Sequence, residues 1–82
     1  MERHLTPAEA WADFWTWIRQ QPQWNTKAGG ISRNEKQALY KANRAATTGN
    51  PHPLGVRRIE RILKEYAPGR YKRIEGFLIL EE

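Results

Sequence analysis

The first part of the chain carries apolar residues with the spacing of one helix face. At positions i, i+3, i+4 and i+7 stand Trp11, Phe14, Trp15 and Ile18. This spacing is typical of an amphipathic α-helix with one buried side. The segment Thr6–Glu9 supplies a capping residue, a proline suited to the first helical position and a capping-box glutamate. We therefore expect a first helix over residues 6–20, whose apolar face, Trp15 included, supplies much of the core.

A connector and a second helix follow. Residues 21–31 contain turn-forming residues and a pair of glycines, so we expect a connector there, with Trp24 folded back onto the core. Ser32 and Glu35 repeat the capping-box pattern, which predicts a second helix over residues 32–46. Its apolar face consists mostly of alanines, which suits the close approach of another helix.

A third helix and a short β-element are predicted in the second half of the chain. The turn residues of Thr47–Pro53 separate the second helix from a third over residues 53–67. The apolar stripe of this third helix consists of Val56, Ile59, Ile62, Leu63 and Tyr66. Residues 70–80 are rich in aromatic and β-branched side chains, which favours β-structure. This β-element is either a hairpin that turns at Glu75–Gly76 or one strand with a bulge at Gly76.

The order of these elements predicts one small domain over residues 1–82, an α+β fold that is mainly α with a small C-terminal β-element. Three helices followed by a β-element resemble the winged-helix branch of helix-turn-helix folds. That resemblance implies a third helix presented to DNA. Two features depart from the pattern. The turn Thr47–Pro53 is longer than the roughly three or four residues usual in helix-turn-helix units, and the remaining chain looks too short for a wing between two strands.

Positive charge is concentrated in the second half of the chain. The net charge of the whole chain is +5, and the segment His52–Arg73 holds seven Lys or Arg against two Glu. Such an uneven distribution favours a polyanionic partner, of which nucleic acid is the most common.

The basic residues of the third helix share one face. Arg57, Arg61 and Lys64 recur at i, i+4 and i+7, and Arg58 flanks them. A guanidinium group can bind a phosphate, or the O6/N7 edge of guanine, with two hydrogen bonds. We therefore predict that this face contacts DNA. The alternative is an ordinary solvated face, on which Glu60 pairs with Lys64 and Arg61 with Glu65.

Further candidate contacts lie outside the third helix. Arg70, Lys72 and Arg73 extend the charge into the β-element, where they would contact the DNA backbone without reading its sequence. Arg33 and Lys36 on the second helix are additional candidates for phosphate contacts.

Trp17 is a candidate for partner binding. It lies about 100° around the first helix from the centre of the apolar face. A tryptophan exposed there would be an anchor for a protein partner or for a homodimer mate. The alternative, which we favour, is that Trp17 packs under the connector that carries Trp24.

The composition gives little support to catalysis or metal binding. Cysteine is absent, so neither disulfides nor thiolate zinc sites are expected. His4 lies in a terminus that we expect to be frayed, and His52 stands between two prolines. We expect no catalytic residue, no metal and no cofactor. The longest aliphatic run, residues 77–80, is too short to cross a membrane, and we expect a cytoplasmic protein with no membrane partner.

These features together predict a small non-enzymatic DNA-binding protein, of the kind that bacteria and phages use as transcription regulators. Duplex DNA is the expected partner, and useful specificity would require a dimer. The alternative is a protein-interaction module, such as a small phage effector that inhibits a host enzyme by docking its basic face on an acidic groove. RNA binding is a third interpretation, in which the stacking platforms would be Tyr40, Tyr66 or Tyr71.

Overall fold

The computed structural model of the protein describes residues 2–48, 54–74 and 77–81, with side chains described for residues 4–48 and 54–71. Within these ranges the chain forms three α-helices and three β-strands. In chain order they are β1 (Glu2–Leu5), α1 (Pro7–Ile18), α2 (Arg33–Thr47), α3 (Val56–Tyr66), β2 (Tyr71–Ile74) and β3 (Phe77–Glu81). The prediction of a mainly helical fold is confirmed.

Both predicted capping boxes are present. The Thr6 hydroxyl accepts a hydrogen bond from the Glu9 backbone N–H at 3.2 Å, and the Glu9 carboxylate accepts one from the Thr6 N–H at 3.1 Å. Ser32 and Glu35 make the same reciprocal pair before α2. Each box satisfies backbone donors that the first helical turn leaves without partners. α1 and α2 therefore begin one residue after the predicted starts.

The third helix is shorter than predicted. It begins at Val56, with Gly55 as its cap, and ends at Tyr66. The buried side chain of Leu54 lies just before its first turn. The predicted turn Thr47–Pro53 is described only as far as Thr48, and residues 49–53 lie outside the described ranges.

The core is built around α1, which contacts α2, α3, β1 and β3. Trp11, Phe14 and Ile18 are at most 2% exposed, as the apolar spacing predicts. Their partners in the core include Leu39 and Ala42 of α2, Ile59 and Leu63 of α3, and Leu5 of β1. The Trp11 indole N–H donates to Asn43 Oδ1 at 3.0 Å, so the polar atom of this buried ring has a partner.

Trp15 packs against the core from its periphery. Its side chain is only partly buried. The reason is its position at one edge of the α1 apolar face, where the rings of Trp24 and Tyr40 cover it edge-on. Trp11 and Phe14 occupy the central positions instead.

The connector between α1 and α2 is a pair of short 3-10 turns, Pro22–Trp24 and Thr26–Ala28. The backbone N–H of Ile31 donates to the Gln23 carbonyl at 2.7 Å, which closes the connector on itself. Gly30 permits this closure, because a Cβ atom there would collide with the Gln23 backbone. Trp24 is consequently held against the core, as predicted.

The strands form one antiparallel sheet in the order β1-β3-β2. β2 and β3 pair with each other, and Ile74 lies opposite Phe77. Of the two forms considered for the β-element, this antiparallel pairing is that of a hairpin. Glu75 and Gly76, between the two strands, lie outside the described residues. Only these two residues separate the two strands.

The N-terminal strand β1 was not predicted, and the expectation of a frayed terminus around His4 is wrong. β1 pairs along β3, with His4 opposite Ile79 and Leu5 opposite Leu78. A strand of four residues with one aliphatic side chain gives a weak local signal. Its stability comes from backbone hydrogen bonds to a strand at the other end of the sequence, which no local pattern indicates.

Candidate nucleic-acid interface

α3 has one buried face and one basic face. Ile59 and Leu63 are 4% and 2% exposed and fix the helix in the core. Four cationic side chains are exposed to solvent and define what we call the α3 stripe: Arg57, Arg58, Arg61 and Lys64. With about 100° of rotation per residue, Arg57, Arg61 and Lys64 point away from the buried pair. Packing and charge are therefore separated on this helix, as the sequence predicts.

The cations of the α3 stripe have no partners in the part of the chain that the structure describes. No side-chain hydrogen bond or ion pair there engages Arg57 or Arg58. Nor, among the described residues, do Arg61 and Glu65 form the ion pair that an ordinary solvated face predicts. The stripe thus presents four exposed cations for which the structure shows no hydrogen bond or ion pair with a described side chain.

Arg70 is placed differently from the stripe. Its Nη2 atom lies 3.3 Å from Asp13 Oδ2, and its guanidinium carbon lies 4.9 Å from the centre of the Trp17 ring. Its Nε atom is buried and, among the described residues, has no hydrogen-bond partner. The Tyr71 hydroxyl donates to the same Asp13 oxygen, and burial raises the pKa of Tyr71. Arg70 therefore links α1 to the start of β2 and, unlike the cations of the stripe, has side-chain partners.

Trp17 packs against the core. Its ring is partly buried, with its centre 6.5 Å from that of Phe14, and Arg70 lies over it. Of the two interpretations offered by the sequence, core packing describes this position. The predicted neighbour is different, however, because the ring that meets Trp24 is that of Trp15.

The remaining predicted contacts are divided between α2 and the sheet. Arg33 is exposed in the first turn of α2, and Lys36 is partly buried, with its Nζ atom 5.0 Å from the centre of the Trp24 ring. Lys72 and Arg73 lie in β2, and their side chains are outside the described set.

The tyrosines considered as stacking platforms differ in their surroundings. The Tyr66 hydroxyl donates a hydrogen bond to Glu35, and the Tyr71 hydroxyl donates one to Asp13, so both rings are held in place. Both side chains are also partly buried. Tyr40 is 51% exposed. Its ring lies edge-on to Trp15 and Trp24 in a cluster that the sequence analysis did not find. The sequence signal is weak, because the three rings come from three separate segments.

The described residues contain no group of three or more His, Asp or Glu placed to hold a metal ion. Nor does any helix among them have the length and apolar character needed to cross a membrane. In comparisons with known proteins, no family model, curated relative or solved structure matches the chain.

Proposed function

We propose that the protein binds duplex DNA through the α3 stripe. The observation that carries this proposal is the set of exposed cations on one face of α3, which have no hydrogen-bond or ion-pair partners among the described residues. Several like charges held on one packed helix form an electrostatic surface for a polyanion. The DNA would be bound without chemical change.

The geometry of α3 suits a DNA groove. The helix has 11 residues, which corresponds to a length of about 16 Å. The major groove of B-DNA is about 12 Å wide and admits an α-helix. Arg57 and Arg61 lie one turn apart, so both would reach the same stretch of backbone or of base edges.

The finer fold that we attach to this proposal is a winged helix. The hairpin of β2 and β3 directly follows α3, where a wing would contact the DNA backbone. β2 is an edge strand, because β3 separates it from β1. In the proposal, Lys72 and Arg73 of this edge strand contact phosphates and position the protein without reading sequence.

Sequence-specific binding would require a second copy of the chain. A single recognition helix covers few base pairs, and symmetric half-sites are the usual way to extend the contact. Trp17 is not part of the proposed dimer contact, since its ring packs on the core and lies under Arg70.

The test is a salt titration of binding to random duplex DNA. We expect Arg57→Ala combined with Arg61→Ala to weaken binding and to reduce the slope of log K against log salt concentration by about 2. The reason is that each phosphate contact contributes about 0.9 to the magnitude of this slope. The melting temperature should stay nearly unchanged, since both side chains are exposed and such substitutions usually change stability by less than about 0.5 kcal/mol.

A matched variant controls for net charge. Lys27→Ala combined with Lys41→Ala removes the same charge from exposed positions outside α3, and we expect it to keep most of the wild-type slope. Equal losses in the two double variants would mean that binding is diffuse and that α3 is not the contact surface. Wild-type protein without salt-dependent affinity for DNA would overturn the proposal and favour an acidic protein as the partner of the stripe. A preference for single-stranded RNA would overturn the duplex assignment.

A further inference from the structure

Three aromatic rings from elements other than α3 form a cluster. Trp15 of α1, Trp24 of the connector and Tyr40 of α2 meet edge-to-face, with ring centres 5.2 to 6.0 Å apart. Tyr40 is the large hydrophobic side chain that is exposed among the described residues. We call these three residues the aromatic cluster.

Cations surround the aromatic cluster. The guanidinium carbon of Arg19 lies 5.1 Å from the centre of the Trp15 ring, and Lys36 Nζ lies 5.0 Å from the centre of the Trp24 ring. Arg33 and Arg44 are exposed on the same side of α2 as Lys36 and Tyr40, because these positions follow the helical repeat. The cluster therefore has an apolar centre and a basic border.

The nearby carboxylates of α1 and α2 are directed elsewhere. Glu35 accepts hydrogen bonds from the Ser32 backbone N–H and from the Tyr66 hydroxyl. Asp13 accepts hydrogen bonds from Tyr71 and Arg70. The structure shows no ion pair of Arg19 or Lys36 with these carboxylates, so both cations are open to the carboxylates of a partner.

We propose that the aromatic cluster and its basic border bind an acidic segment of a partner protein that carries an aromatic or aliphatic anchor. The apolar anchor packs on the exposed Tyr40 ring and on the partly buried edges of Trp15 and Trp24, while carboxylates pair with Arg19 and Lys36. Trp, Tyr and Arg are the residues that most often dominate the binding energy of protein interfaces. This partner surface is additional to the DNA contact of the α3 stripe and is independent of it.

The arrangement of the rings favours a peptide over single-stranded nucleic acid. Successive bases need open ring faces on which to stack. Here the rings are nearly perpendicular to one another, and the chain's own cations lie over the faces of Trp15 and Trp24. A peptide can use the ring edges and pair its carboxylates with the cations where they already lie.

A displayed library of short random peptides tests this proposal on the full-length protein. We expect the selected peptides to be rich in Asp and Glu and to contain an aromatic or aliphatic residue. Binding of a selected peptide, measured by fluorescence anisotropy, should weaken about fivefold or more in Tyr40→Ala and in Lys36→Gln, which is the loss expected for residues at the centre of an interface. Circular dichroism checks that each variant is folded.

Two controls separate this surface from its surroundings and from the DNA site. Lys41→Gln removes the same charge from an exposed position on α2 outside the cluster, and Arg57→Ala combined with Arg61→Ala alters the α3 stripe. Both should bind the selected peptide within about twofold of wild type. The proposal is overturned if the selected peptides are not acidic, if none depends on Tyr40 or Lys36, or if the α3 variant loses the peptide. It is also overturned if an oligo-thymidine strand binds the cluster more tightly than the selected peptides do.

Discussion

The arginines of one basic stretch of sequence differ in their surroundings. Arg57, Arg58 and Arg61 of the α3 stripe are exposed and, in the described ranges, have no side-chain partners. Arg70 pairs with Asp13 and lies over the Trp17 ring. The side chains of Arg70 and Asp13 are only 28% and 21% exposed. The first set is available to a ligand, whereas Arg70 helps to hold β2 against α1.

The position of each cation relative to α1 decides whether it has a side-chain partner. α3 packs on α1 through Ile59 and Leu63, which turns its arginines outward. Arg70 instead follows the end of α3, where Asp13 and Trp17 of α1 are close enough to bind it. The net charge of a segment alone does not distinguish an exposed cation from one that is held in an ion pair.

The strongest test of this comparison is removal of Asp13. Asp13→Ala leaves the Tyr71 hydroxyl and the Arg70 guanidinium without their shared acceptor. Each partly buried polar group that is left without its partner usually lowers the free energy of unfolding by about 1–3 kcal/mol, and by less where solvent screens the charge. We expect the free energy of unfolding to fall by about 2 kcal/mol, measured by urea denaturation.

Asp13→Asn is the matched control. Its amide oxygen can still accept the hydrogen bond from Tyr71, so it should lose less stability than Asp13→Ala. If Asp13→Ala unfolds at the same urea concentration as wild type, the Arg70 cluster does not stabilise the fold and the comparison fails.

A smaller effect is expected when Arg70 itself is changed. Arg70→Ala removes the ion pair and the packing on Trp17 but leaves Asp13 partly exposed and able to bind water. We expect a loss of about 1 kcal/mol in unfolding free energy, with the salt dependence of DNA binding close to that of wild type. A reduction of the slope by about 1 would show that Arg70 contacts a phosphate, and it would then belong with the stripe.

The sequence contains enough information to predict the helices and the α3 stripe. Capping boxes at Thr6 and Ser32 and the apolar spacing of α1 are local signals, and each corresponds to a contact in the structure. The separation of Arg57 and Arg61 from Ile59 and Leu63 follows directly from helical geometry. Features that depend on residues close in sequence are therefore predictable here.

The features that escaped prediction depend on residues that are distant in sequence. β1 pairs with β3 across almost the whole chain, and Arg70 contacts Asp13, which lies 57 positions earlier in the sequence. The aromatic cluster combines side chains from α1, the connector and α2. No local pattern indicates which of these segments meet, because that depends on how the helices pack.

The smallest expected effect concerns Tyr66 of α3. Its side chain is hydrogen-bonded, whereas Lys64 on the same helix is exposed. The Tyr66 hydroxyl donates to Glu35 Oε2 at 3.2 Å. Burial and this hydrogen bond raise the pKa of Tyr66 from 10.0 to about 12. A group whose pKa is raised by folding stabilises the folded state below its unfolded pKa, and this contribution is lost as the pH rises towards the folded value.

Tyr66→Phe should therefore melt at a slightly lower temperature than wild type at neutral pH, and this difference in melting temperature, the gap, should close between about pH 10 and about pH 12. Tyr40→Phe is the control, because the Tyr40 hydroxyl that it removes has no hydrogen bond among the described residues. This variant should show no such gap. A gap for Tyr66→Phe that does not change with pH would mean that the Glu35 contact does not stabilise the neutral phenol, and that Tyr66, like the stripe, is bound mainly to solvent.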